Sequence, residues 1–169
     1  MPLSQQGVED AIAELEKWQT WLIDRTKEFV KVLGDEGLEI MSVKFANAIY
    51  DGTNDVKCEI RPEGEMKLTL TAKGNATLFI EFGTGINHPD SHPEGVVNGM
   101  IHGEYGMGLG KLRKGWRYKG DPGTNGIPIV GGKNKGYVLT KGNPANMSMY
   151  LTIQELKDRV EEIARRVYA

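Results

Sequence analysis

The sequence lacks several things, and each absence narrows the field. It has a single cysteine, Cys58, so no disulfide can form within the chain. Cys58 reads as a buried thiol acting as a small apolar group in a strand. A catalytic thiol would need a base beside it, and no histidine is close in sequence. There is no apolar run of the roughly 18 residues that a membrane span requires. The beginning, "MPLSQQGVEDAIAELEKW", is acidic and amphipathic, whereas a signal peptide starts basic and continues apolar. The expectation is a soluble intracellular protein. Charge of one sign is also missing. Lys and Arg number 21 against 23 Asp and Glu, for a net charge of −2. No global attraction to nucleic acid or membrane follows, so any electrostatic function must come from local patches.

Nucleotide and nucleophile motifs are missing too. "GMGLGKL" (106–112) resembles a phosphate loop, but Leu112 follows Lys111 where Ser or Thr is required, and Tyr105 stands in place of the first glycine. "GGKNKG" (131–136) fails in the same way. Gly-x-Ser-x-Gly, the nucleophile elbow, is absent.

What is present begins with a long amphipathic stretch. With 169 residues and 39% hydrophobic content, the chain suffices for one domain, 1–169, with a core of its own. Residues 4–33 predict a helix capped by Ser4. Val8, Ile12, Leu15, Trp18, Leu22, Phe29 and Leu33 share one face. Gly34 predicts its end. Trp21 and Ile23 widen the apolar surface beyond one stripe, which points to a second packing partner. Residues 37–49 repeat the pattern with Leu38, Met41, Phe45 and Ile49, as a second short helix or a kinked continuation. "YDGTND" (50–55) predicts a turn.

Three strands are then expected: "VKCEIR" (56–61), "KLTLTAK" (67–73) and "TLFIEF" (77–82), an antiparallel meander with one wet face. Residues 83–136 hold most of the 22 glycines and show no apolar period. That is far longer than an ordinary loop, and predicts an extended insertion that is either disordered or ordered by something outside the monomer. "GYVLT" (136–140) predicts a fourth strand. A final helix is expected after Asn143 as N-cap and Pro144 at the first helical position. Met147, Tyr150, Ile153, Leu156, Val160, Ile163 and Val167 give it an apolar face. The expected fold class is α+β: an antiparallel sheet of about four strands packed against a long N-terminal and a C-terminal helix, with a long Gly-rich insertion.

Three local features carry candidate chemistry. His88, Asp90, His92 and Glu94 are spaced as metal ligands, with His102 and Glu104 beyond, and would make a metal-dependent hydrolase. Pro89 and Pro93 interleave with them and no rigid element supports them, so a polar loop accounts for the cluster and no metal is assigned. Glu81 interrupts the apolar run Phe79, Ile80 and Phe82. It can be a general acid, a wet-face carboxylate, or one half of an ion pair across a subunit boundary. "KLRKGWRYKG" (111–120) sets Lys111, Arg113, Lys114, Arg117 and Lys119 around Trp116 and Tyr118. A solvated loop tip accounts for it; the composition also suits contact with an acidic protein neighbour or with a nucleic-acid backbone, without sequence reading.

One family resemblance emerges from these pieces. "VLGDEGLEIMSVKFANAIYDGTNDVKCEI", then "LTAKGNATLFIEFGTGI", then "NPANMSMYLTIQELKDRVEEIARRVY" resembles, in order and spacing, the head–tail joining and tail-completion proteins of long-tailed bacteriophages and prophages. The likeness covers roughly residues 30–85 and 140–168, and its shortest motif is Glu81-Phe82-Gly83-Thr84. It implies a structural subunit with no catalytic residues and no cofactor. Such a subunit forms a ring, usually of six, at the head-proximal end of the tail tube, beside tail-tube, terminator or head-completion proteins. DNA would pass through the lumen without sequence-specific contact. The implied location is the virion tail or neck, assembled in the host bacterial cytoplasm. A tail-terminator ring is the alternative within the same class. On this reading 83–136 is an assembly arm, which could add a strand to a neighbouring subunit.

Overall fold

The computed structural model describes residues 4–83, 92–95, 97–98 and 115–169. Thr84, His88, Asp90, His102, Glu104, Lys111, Arg113 and Lys114 lie outside the described residues.

The chain is α+β. Helix α1 (Gln5–Ala46) is one continuous element of 42 residues, about 63 Å long at 1.5 Å per residue. Ser4 caps it as expected, its hydroxyl accepting the Gly7 N–H at 3.1 Å. The expected stop at Gly34 does not occur, nor does a separate second helix. Both Gly34 and Gly37 are buried inside the helix. A Cβ on Gly34 would lie 2.6 Å from Leu68 Cδ1, and one on Gly37 would lie 2.7 Å from Leu70 Cδ1 and 2.9 Å from Leu156 Cδ1. A helical glycine costs about 1 kcal/mol relative to alanine. Here it lets a hairpin and a second helix approach closely, so packing prevails over propensity.

The hairpin is β1 (Lys57–Gly64) and β2 (Lys67–Lys73), paired antiparallel with Cys58 opposite Ala72 and Ile60 opposite Leu70. Its inner face lies on the second half of α1. Cys58 is half-buried there, and burial raises its thiol pKa, in keeping with a packing role.

The third expected strand is instead a short helix, α2 (Thr77–Phe82). Its start is held by Asp55, whose carboxylate accepts the backbone N–H groups of Asn75 and Ala76, both at 2.9 Å. Ala76 and Ile80 are then four apart on one helical face, and both are buried. They join Met41 and Phe45 in the core, with Leu38, Tyr50, Val56, Leu70 and Met149 packed around.

The fourth expected strand exists but belongs elsewhere. β5 (Val138–Thr140) is the centre of a separate three-stranded antiparallel sheet, between β3 (Trp116–Tyr118) and β4 (Ile127–Pro128). The four-stranded sheet is thus replaced by a hairpin and a small second sheet. The stretch 115–136, expected to hold no element, supplies two of its strands. They span three and two residues, too short to show a period in sequence.

Helix α3 (Ser148–Tyr168) closes the fold and runs antiparallel to α1. Ser148 Oγ donates to the Lys44 carbonyl at its start, and the Tyr168 and Thr26 hydroxyls meet at 2.9 Å near its end. Ser148, Thr152, Ile163 and Val167 form its buried face, while Ile153 and Val160 are exposed. The helix begins four residues later than expected. Asn143 is not its N-cap; its side-chain oxygen accepts the Asp51 N–H at 2.7 Å. Met147 precedes the helix at a φ of 54° and provides no side-chain cap.

Candidate functional site

The first half of α1 has no counterpart in the rest of the fold. Every residue from 4 to 21 is exposed. Leu15 is 66% exposed, Trp18 59%, Ile12 51% and Val8 41%. These residues belong to the stripe that, further along, reaches Phe29 and Leu33 and is covered by α3 and the hairpin. The cover ends where Tyr168 packs on Trp21 and Phe29, with ring centroids 6.2 Å and 6.0 Å apart. About 27 Å of amphipathic helix therefore runs on with its apolar side in water.

The Glu-Phe-Gly stretch does something different. Glu81 is buried at the end of α2, facing the start of α3. Its Oε2 accepts the Met149 N–H at 2.7 Å and its Oε1 accepts the Tyr150 N–H at 2.9 Å. The missing side-chain cap of α3 is thus supplied from another element. A carboxylate at a helix N-terminus is favoured by the helix dipole and satisfies N–H groups that lack intrahelical partners. The Glu81 and Ile80 carbonyls also accept the N–H groups of Met147 and Asn146. Phe82 is half-buried, its ring 4.5 Å from that of His92. Gly83, at a φ of 75°, passes so close to the next segment that a Cβ would lie 2.7 Å from the Ala145 nitrogen. Only glycine combines that backbone angle with that approach. The three residues tie α2 to the entry of α3.

His92 is drawn into the same junction. Its Nε2 is 3.0 Å from Glu81 Oε1, and its Nδ1 accepts the Glu94 N–H at 3.0 Å. The proton therefore sits on Nε2, which donates to Glu81. Both ring nitrogens are engaged with protein, which leaves neither for a metal. Among the described residues no three His, Cys, Asp or Glu side chains are grouped to hold an ion. With both carboxylate oxygens held by helix N–H groups, Glu81 is a cap in this arrangement.

A buried carboxylate in the expected turn escaped sequence reading. Asp51 accepts the Asn125 N–H at 2.9 Å and the Thr140 hydroxyl, while its own N–H donates to Asn143. It pins the second sheet to the end of α1. Asp-Gly signals a turn, but nothing in the local pattern says that its aspartate is buried against another sheet.

The basic segment divides. Trp116 is half-buried and lines a groove with Tyr50, Phe79, Tyr118 and Asp51. Burial raises the phenol pKa of both Tyr50 and Tyr118. Arg117 and Lys119 are exposed, and Lys119 Nζ lies 5.3 Å over the Tyr137 ring. The alternation of strand β3 separates them, with the aromatic rings turned inward and the cations outward.

The described residues therefore leave an apolar helix face and the cations of one strand exposed. No helix among them is long and apolar enough to cross a membrane. No family model, curated protein or solved structure matches the chain.

Proposed function

We propose that the chain is a structural subunit of a bacteriophage or prophage tail or neck. In this reading it forms a ring, with six copies expected, at the head-proximal end of the tail tube, and joins the tail to the head connector. It is not an enzyme. The observation that carries the reading is the uncovered apolar half of α1, a surface that a free monomer has no reason to keep apolar. The sequence resemblance supplies the setting, and the Glu81-Phe82-Gly83 junction gives its shortest motif a physical task. Arg117 and Lys119, with Lys111, Arg113 and Lys114 beside them in sequence, supply positive charge toward DNA in the lumen or toward an acidic neighbour.

The test is disruption of the coding sequence in the phage or prophage that carries it, followed by electron microscopy of the particles. Filled heads and finished tails, unjoined, are expected. Overlong tails would assign the terminator role instead. Normal joined, infectious particles would refute both.

A further inference from the structure

A ring closed by rotation needs two different surfaces on each subunit. Resting on the ring reading above, the structure points to both. The first is α1 around Ile12, Leu15 and Trp18. Helical spacing sets Glu9 and Glu16 along one border of this stripe, Glu14 along the other, and Lys17 opposite. Among the described residues, Glu9 and Asp10 take side-chain hydrogen bonds only from Gln5 and Gln6, one turn back on the same helix. Among the described residues, Glu14 and Glu16 have no ion-pair partner. A copy of the same helix would be a poor occupant, because acidic borders would meet acidic borders in either direction.

The second surface has the opposite charge. Register places Arg117, Leu139 and Ile127 side by side on one face of the β3–β5–β4 sheet. Val138 and Thr140, which point the other way, are buried, so this is the outer face. Lys119 and Tyr137 extend it two residues along their strands, with the cation over the ring. Ile127 is 51% exposed, and Val130, just beyond it, is 85% exposed. Lys133 and Lys135 are exposed in the turn that leads into β5. Three strands span roughly 10 to 14 Å, and Ile12 to Trp18 covers roughly 9 Å of helix. The acidic, apolar stripe and the basic, apolar face match in size, charge and polarity.

We infer that α1 of one copy docks through Ile12, Leu15 and Trp18 across the outer face of the β3–β5–β4 sheet of a second copy. The contact is head-to-tail. It is small, so one such contact is weak and a closed ring of them is strong.

Two variants test it. One carries Leu15→Ser and Trp18→Ser and keeps only the sheet surface; the other carries Arg117→Glu and Ile127→Ser and keeps only the helix. All four positions are exposed, and circular dichroism checks the fold. If Arg117→Glu disturbs it, Ile127→Ser alone serves. In sedimentation velocity each variant alone should stay monomeric, and the mixture should form a one-to-one pair and nothing larger. Reversing Glu14 and Glu16 to Lys should weaken that pair at least roughly tenfold, and Arg117→Glu with Lys119→Glu on the partner copy should recover part of the loss. Two results would overturn the inference: no mixed pair up to millimolar protein, or dimers of the helix-only variant by itself. If the pair fails to form but wild-type rings are seen on joined particles, this contact is wrong and the neck reading stands. If the pair forms but particles join without the protein, the reverse holds.

Discussion

The two halves of α1 share one helix and the same helical spacing of apolar residues, yet only the second half is covered. From Phe29 to Phe45 the helix meets the hairpin, α2 and α3. From Val8 to Trp18 it meets water. Hydrophobic period identifies which face of a helix avoids water, but not which molecule supplies the cover. The half covered within the chain contributes to folding. The uncovered half buries nothing within the chain and so contributes little to folding.

The largest expected effect tests this contrast directly. Phe45 is 2% exposed and Trp18 is 59% exposed. Phe45→Ala should lower the free energy of unfolding by about 3–5 kcal/mol, through lost burial and a residual cavity. Trp18→Ala removes an even larger ring, yet should change it by less than about 0.5 kcal/mol. Urea denaturation of the two variants reads the difference. Comparable losses would mean that the first half of α1 is already covered in the monomer.

Next in size is the junction that anchors the covered half. Glu81→Ala leaves the Met149 and Tyr150 N–H groups and the His92 Nε2–H without their acceptor. Its expected cost is about 2–4 kcal/mol, because buried donors lose their partner without regaining water. Glu81→Gln keeps an acceptor oxygen and should cost less. Hydrogen exchange should report faster opening of the first turn of α3 in both variants, with residues 5–20 of α1 unaffected.

How far the sequence could be read follows from the kind of signal each element leaves. The two long helices, the hairpin and the α+β class were legible, because many residues repeat one period. Gly34 misled, since propensity marks a stop while close packing against Leu68 rewards a missing side chain. "TLFIEF" misled for another reason. Six apolar-rich residues fit a strand as well as a helix, and the Asp55 carboxylate that decides lies more than twenty positions upstream. Asn143-Pro144 looks like a helix start, but Asn143 is committed to Asp51, and the cap comes from Glu81. The strands of the second sheet are too brief for any period. For the site, the wide apolar surface of α1 was legible, but not that its first half, Val8 to Trp18, would be the part left exposed. The role of Glu81 was not legible either, because its partners are backbone groups nearly seventy residues away.

A smaller effect should follow pH. Hydrogen bonds from the Ala76 and Asn75 N–H groups hold the Asp55 carboxyl below its ordinary value of 3.8. A folded pKa below the unfolded one adds stability that is full above the unfolded value and is lost as pH falls through the folded one. Wild type should therefore melt higher than Asp55→Asn at neutral pH, and the gap should narrow as pH drops below 3.8. A gap unchanged at pH 2.5 would assign the difference to packing of α2 rather than to the charge.

The smallest effect on folding should come from the largest deletion. Removing the residues before Gln19 takes away Val8, Ile12, Leu15 and Trp18 but leaves Trp21 against Tyr168. No tertiary contact of the covered half is lost, so the melting temperature should stay within about 2 °C, the shift expected from a few tenths of a kcal/mol. Self-association in the two-variant mixture should vanish if the deletion is placed in the helix-bearing copy. A segment whose loss leaves folding intact and abolishes pairing is one whose apolar side chains serve a partner. Should the deletion instead lower the melting temperature by ten degrees, the exposed stripe must fold back onto its own chain, and the contrast between the two halves of α1 would disappear.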